Sequence, residues 1–255
     1  MGFQKITRAI IAVAAIALTA GCGGGSGQML DPSLLIPSRF AGGSAQLLSL
    51  ASPVNDWTWN DPHVLKVGTE YWMYASATDN FAYPVRLYRL RSSDGIDWSH
   101  ATPESVLEPT AGWDAGSVET PAVTFFNGKY HLFWTGYPLS PTDPDFDVTT
   151  MRIGHATSID GVTFTVDASN PIVTPSGAAE DGNPSNDWYA FVVAEPAPVV
   201  HDGKLYLYFT ALGADAALGK SSQVIGLVTS DDGTAWSEPT LALKPDQSLY
   251  PRDED

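Results

Sequence analysis

The stretch NDPHVLKVGTEYWMY, residues 60–74, sets an acid and a proline ahead of an apolar run, then Gly68-Thr69, then a segment crowded with Tyr71, Trp72, Met73 and Tyr74. Short aromatic and β-branched runs on either side of a glycine turn read as a β-hairpin. The same order returns in PAVTFFNGKYHLFW, residues 121–134, and in PVVHDGKLYLYF, residues 198–209. Each copy is followed by a second hairpin half built around an Asp-Gly turn: LYRLRSSDGIDW at 87–98, IGHATSIDGVTF at 153–164 and IGLVTSDDGTAW at 225–236. Two hairpins per repeat supply four strands, the content of one propeller blade. A repeat of this length fixes the architecture before any local assignment is made. The expectation is an all-β chain whose propeller domain covers 51–255, with blades at 55–112, 113–190 and 191–247. Propellers close with about four to eight blades. Three repeats therefore lead to the further expectation that the chain is truncated at its C-terminal side, with residues 249–255 opening another repeat.

Composition agrees with a folded, turn-rich chain. Of 255 residues 44% are hydrophobic and 16% charged, and there are 23 glycines and 19 prolines. Disordered chains show the opposite balance, low hydropathy with high charge. The 13 basic and 29 acidic side chains leave a net charge of −16. Nucleic-acid binding rests on Lys and Arg neutralising phosphates, so nucleic acid is not an expected partner.

Residues 1–21 carry the marks of an export signal: Lys5 and Arg8, then an apolar run from Ala9 to Ala20 ending in small residues. That run is shorter than the roughly 20 residues a membrane span needs. The lone cysteine, Cys22, follows in Leu18-Thr19-Ala20-Gly21-Cys22, which resembles the lipobox of bacterial lipoproteins. Residues 22–50 would then form a tether and N-terminal segment. Acyl chains on Cys22 would hold the exported protein to a bacterial membrane, at the outer membrane or the cell surface.

Each repeat carries an acid near its start: Asp61, Glu119 and Glu195. These stand one, two and three residues before the prolines taken to open the repeats, Pro62, Pro121 and Pro198. The innermost strands of a propeller line one central cavity, so the three acids are expected to converge. Glycoside hydrolysis needs two carboxyls in different environments, one to protonate the leaving oxygen and one to activate water or attack the sugar. A third tunes the others by like-charge repulsion. Asn60, Trp57, Trp59, His63, Trp113 and Asp114 flank these segments and are the candidate substrate-binding residues. Trp188 is a further candidate for stacking on sugar. Trp72, Trp98, Trp134 and Trp236 recur at blade positions and are expected in the inter-blade core. Asp94, Asp160 and Asp232 are expected to be structural turn residues. His131, His155 and His201 lack ligand spacing, and no metal site is expected.

The motif Asn60-Asp61-Pro62, followed by the hairpin from Gly68 to Tyr74, resembles the five-bladed propeller glycoside hydrolases, most of all family 43 (arabinanases, arabinofuranosidases and β-xylosidases), with family 32 also similar. The resemblance covers residues 55–247. It implies Asp61 as general base, Glu195 as general acid, and Glu119 near the place of a pKa-modulating acid, with Asp114 as the alternative. On the family 32 pattern Asp61 would instead be the nucleophile of a retaining fructan hydrolase. The substrates implied are arabinan- or xylan-type oligo- and polysaccharides, probed by an inverting enzyme. No cofactor is read from the residues; calcium enters by resemblance only. Two departures stand out. Pro121-Ala122-Val123 replaces a Trp-Ala-Pro-Asp type motif, and Glu195-Pro196-Ala197-Pro198 replaces a Glu-Gly-Pro type motif. They leave a non-catalytic, surface-anchored carbohydrate-binding propeller as the rival reading.

Overall fold

A computed structural model describes residues 57–79, 82–177, 184–215 and 220–244. The signal, Cys22 and the tether, together with residues 245–255, lie outside the described residues. Twelve strands form three four-stranded antiparallel sheets. The first holds β1 (Trp57–Val67), β2 (Glu70–Asp79), β3 (Ala82–Ser92) and β4 (Glu104–Leu107). The second holds β5 (Ser117–Phe126), β6 (Lys129–Tyr137), β7 (Arg152–Ser158) and β8 (Thr165–Val166). The third holds β9 (Val192–His201), β10 (Lys204–Asp215), β11 (Lys220–Ser230) and β12 (Thr240–Leu243). In every sheet the chain runs outward strand by strand, as in a propeller blade. Beside the strands, the described residues hold only short 3-10 turns at Val148–Thr150 and Pro184–Tyr189.

The hairpin turns sit where the sequence places them. Asn127-Gly128 and Asp202-Gly203 have positive φ at both residues, 48° and 78° in one and 48° and 72° in the other, the two-residue geometry that suits strand twist. The Asp-Gly turns are three copies of one device. The Ser92 hydroxyl donates to Asp94 Oδ1 (2.9 Å) and accepts from the Gly95 N–H (3.0 Å), while Asp94 Oδ1 accepts from the Ile96 and Asp97 N–H groups. Ser158 with Asp160, and Ser230 with Asp232, repeat the pattern. These donors hold Asp160 and Asp232 well below the ordinary carboxylate range.

Each of the last two turns also docks on the blade before it. A Cβ at Gly161 would stand 2.5 Å from the Trp72 ring, and one at Gly233 2.4 Å from the His131 ring, so only glycine lets the turn approach this closely. The Tyr74 hydroxyl donates to the Gly161 carbonyl at 2.8 Å. Arg89 stacks 4.2 Å over Trp72, donates to the Asp160 carbonyl and pairs with Glu104.

Two apolar seams join the blades. Tyr74, Leu87, Val106 and Leu107 meet Val118, Val123, Leu132 and Trp134 in the first. Phe133 and Ile153 meet Val193, Leu205, Leu207 and Phe209 in the second. Of the four tryptophans expected in the core, Trp72, Trp134 and Trp236 belong to these seams, whereas Trp98 lies half-buried outside them. Burial of each large side chain contributes about 1.5–3 kcal/mol.

Beside the second seam His155, 1% exposed, places Nε2 2.9 Å from Nδ1 of His131 and Nδ1 3.2 Å from Asp167. Burial pulls His155 down to about 4, with the Asp167 hydrogen bond opposing it. An unfolded histidine titrates near 6.5. The unfolded chain therefore takes up a proton that the folded one resists, and stability is full above about pH 6.5 and falls toward pH 4. The loss from this site is expected to reach roughly 3 kcal/mol, read by urea unfolding across that window. His155→Gln should flatten the slope; an unchanged slope would remove His155 as its source.

Candidate active site

In each blade the innermost strand breaks register at one point, so that two of its residues face one residue of the neighbouring strand. Asp61 and Pro62 lie between the pairs Asn60↔Ser76 and His63↔Tyr74. Thr120 and Pro121 lie between Glu119↔Thr135 and Ala122↔Phe133. Glu195 and Pro196 lie between Ala194↔Thr210 and Ala197↔Tyr208. These are β-bulges, and their leading residues take left-handed φ: 51° at Asp61, 51° at Thr120 and 55° at Glu195. A non-glycine residue pays roughly 1–2 kcal/mol for that conformation. Three equivalent strained positions at the start of three innermost strands make these bulges the candidate site.

This register corrects the sequence alignment. The blade-three proline equivalent to Pro62 and Pro121 is Pro196, not Pro198. Asp61 and Glu195 are true counterparts, but the blade-two counterpart is Thr120. Glu119 sits one residue earlier, level with Asn60 and Ala194.

The bulges are held by hydroxyls that the sequence reading missed. Ser76, Thr135 and Thr210 each face the residue preceding the bulge. The Thr120 N–H donates to Ser76 Oγ at 3.0 Å, and the Glu195 N–H donates to Thr135 Oγ1 at 2.9 Å, each crossing to the preceding blade. Within blades, Thr120 Oγ1 lies 2.7 Å from Thr135 Oγ1, and the Thr210 hydroxyl donates to Glu195 Oε2 at 2.7 Å. The signal was present, since Ser76, Thr135 and Thr210 each follow their bulge proline by fourteen residues.

The structure brings Glu119 and Glu195 each within electrostatic reach of Asp61. Asp61 and Glu195 are open to solvent and Glu119 is half-buried. The walls around Asp61 still strip enough water to push its carboxyl above the ordinary range; the Ser76 hydroxyl and Thr120 N–H pull it back, and the charge of Glu195 raises it again. Burial also raises Glu119, against the hydrogen bond that the Tyr137 hydroxyl donates to its Oε1, and the charge of Asp61 adds to the rise. Tyr83, on β3, is pushed up by its own burial and by the charge of Glu119, which places it beside the cluster.

The remaining candidates have other partners. The His63 ring lies 2.8 Å from the Val123 carbonyl, tying blade one to blade two. Asn60 is exposed on the face it shares with Ser76. By strand alternation Trp57 and Trp59 take the opposite face, where they cluster with Tyr88 at ring separations of 4.7 and 6.0 Å. Trp113 stacks on Trp134 at 6.0 Å within the first seam. Asp114 is 1% exposed and accepts from the backbone and hydroxyl of Thr110, a loop-holding role. Trp188 stacks on Phe209 against the second seam. Among the described residues no three His, Cys, Asp or Glu side chains are grouped to hold a metal ion.

No protein-family model matches the chain, and no curated protein matches its sequence. Solved structures do match in fold. A family 117 glycoside hydrolase produced by the marine bacterium Zobellia galactanivorans aligns with a TM-score of 0.56 and 18% identity, over 71% of this chain and 54% of that one. A thermostable family 43 glycoside hydrolase aligns at 0.53 and 18%, over 80% and 58%. A family 32 β-fructofuranosidase of Bombyx mori aligns at 0.52 and 18%, over 74% and 36%. The chain thus spans about a third to three-fifths of the length of these proteins, and shares with them the propeller fold.

Thr135, 3% exposed, is the hinge of the hydroxyl network. Replacing it by Val removes the acceptor of the Glu195 N–H and the partner of Thr120 Oγ1, a loss of about 0.5–1.5 kcal/mol for each hydrogen bond. Thr135→Val is expected to lower unfolding stability by that amount, whereas Thr→Val at exposed Thr165 should change little. Equal effects at the two sites would show that the network holds nothing.

Proposed function

We propose that this chain is a glycoside hydrolase acting on arabinan- or xylan-type glycans, with Asp61 as general base, Glu195 as general acid and inversion at the anomeric carbon. The observation that carries the reading is the placement of Asp61 and Glu195 at two equivalent bulges and of Glu119 one residue before a third, with Glu119 and Glu195 each acting on Asp61. Ser76 Oγ accepts from the Thr120 N–H, which leaves its proton for Asp61, and these groups favour the ionised form of Asp61 that a general base needs. Glu195 is anchored through one oxygen by Thr210 and is open on its solvent side, where a leaving oxygen could reach it.

One feature favours a second reading. Thr120, at the blade-two bulge, cannot supply a charge, so the site has two bulge carboxyls and not three. A glycan-binding propeller without turnover would tolerate that. Sugar release decides between them. Wild type is expected to hydrolyse arabino- or xylo-oligosaccharides, with Asp61→Asn and Glu195→Gln each slower by about 10³-fold or more. Wild type that binds glycan and releases no sugar would establish the binding module.

We also propose that Cys22 is lipidated after removal of residues 1–21 and anchors the protein to a membrane surface, on the strength of the Leu18–Cys22 motif. Cys22→Ser is expected to move the exported protein from the membrane fraction to the soluble fraction. Retention in the membrane fraction would contradict the anchor.

A further inference from the structure

Consecutive blades meet through one face that recurs at the same positions. On the second strand of each blade three side chains, two residues apart, share that face: Trp72, Tyr74 and Ser76 in blade one, His131, Phe133 and Thr135 in blade two, Tyr206, Tyr208 and Thr210 in blade three. The third strand adds Leu87 and Arg89, then Ile153 and His155, then Ile225 and Leu227, each pair lying across from the last two residues of its set.

In blades one and two this face receives the next blade at three places. The hydroxyl takes the bulge N–H, from Thr120 to Ser76 and from Glu195 to Thr135. The ring four residues earlier takes the glycine of the Asp-Gly turn, Gly161 on Trp72 and Gly233 on His131. Between them Tyr74, Leu87, Phe133 and Ile153 fill the two seams and are 0% exposed.

Blade three carries the same face, and no described sheet packs on it. Tyr206, Tyr208, Thr210, Ile225 and Leu227 are only half-buried, while Leu205, Leu207 and Phe209, which alternate with the first three, lie in the second seam. Val199, opposite Tyr206, is 48% exposed. Thr210 gives its proton to Glu195 Oε2, as Ser76 gives its own to Asp61, and so keeps its oxygen for an N–H from beyond the blade. The face is built to receive a sheet of the same construction as the blades of this chain.

Blade one has the matching side. Asp61 holds the left-handed φ of 51° seen at Thr120 and Glu195, the residues whose N–H groups cross to a preceding blade. The Asp94-Gly95 turn repeats the geometry of the two turns that dock, with Gly95 at a φ of 74°. Val64 is 46% exposed, whereas its counterpart Val123 is 1% exposed in the first seam. One chain thus offers both halves of a heterologous contact, the kind that closes into rings.

We propose that two copies of this chain join head to tail, blade one of each seated on blade three of the other, with Thr210 Oγ1 accepting the Asp61 N–H of the other copy. A second copy is the occupant because blade one carries each complement the face asks for: a bulge N–H, a turn glycine and an uncovered apolar side chain. Propellers close with about four to eight blades. Two copies bring twice the three described, inside that range.

Sedimentation equilibrium of the full chain carrying Cys22→Ser, which removes its sole thiol, is expected to give twice the chain mass at micromolar concentration. Leu227→Asp buries an unpaired charge in the interface and is expected to weaken the dimer by about 100-fold or more. Ile159→Asp, at a position 83% exposed, should leave it unchanged. A bismaleimide reads the orientation. Leu227 takes the place of Arg89 and His155, which reach Asp160 and Trp236 at the next blade's turn. In the Cys22→Ser background the double variant Ile96→Cys, Leu227→Cys is therefore expected to cross-link into a covalent dimer, and neither single variant is. A monomeric parent chain overturns the proposal, and protection of the blade-three face from hydrogen exchange in that monomer would show that the chain covers the face itself. A cross-linked dimer of either single variant, or an assembly that grows past two copies, overturns it as well.

Discussion

A backbone N–H that crosses from one blade to a hydroxyl of the blade before it is the contact on which both the fold and the site depend. Thr120 reaches Ser76 in this way and Glu195 reaches Thr135. The N–H groups are free to cross because the bulge takes them out of their own ladder, and a proline, which has no N–H to lose from the ladder, fills the second place of each bulge. A left-handed φ of about 50° costs roughly 1–2 kcal/mol at each leading residue. A hydrogen bond contributes about 1 kcal/mol in return, and the apolar seams supply the rest. One local distortion thus frees a backbone N–H from its own sheet and ties adjacent blades together.

The electrostatics follow from where those bulges point. The charge of Glu195 raises the affinity of Asp61 for protons and that of Asp61 raises Glu119, and among the described residues no Lys or Arg pairs with any of the three. In the surface turns, by contrast, Asp94, Asp160 and Asp232 are held ionised by backbone donors. Acids of one chemical type therefore divide into two populations. Those in the turns are stabilised as anions by one hydroxyl and two backbone donors each, whereas burial pushes Asp61 and Glu119 the other way.

The blade content, the strand order and the Asp-Gly turns were legible in the sequence because each depends on contacts within about fifteen residues. The hairpins around Gly68, Gly128 and Gly203 and the Ser-x-Asp-Gly turns need no distant partner to form. Asp61 and Glu195 were legible for the same reason, standing beside the prolines that make the bulges. The blade-to-blade register was not, because Pro196 and Pro198 offer two registers for blade three, and taking Pro198 hid that Asp61 and Glu195 each directly precede the bulge proline while in blade two Thr120 does and Glu119 does not. Trp57, Trp59 and Trp113 were taken for sugar-facing aromatics on proximity in sequence. Strand alternation sends the first two to the other face of the sheet, and the glycines at 136 and 154 open a slot that draws Trp113 into the core. The Tyr137 contact with Glu119 crosses between strands, so no local pattern announces it.

The central claim is that Asp61 and Glu195 face one another across a glycan held at the bulges. A crystal structure with a bound, unhydrolysed oligosaccharide tests it most directly. The account expects one glycosidic oxygen beside Glu195, a water held by Asp61 on the opposite side of the sugar ring, and carboxyls about 6.5–9.5 Å apart. A sugar seated away from these two carboxyls, or carboxyls only about 5–5.5 Å apart with no room for that water, would contradict it.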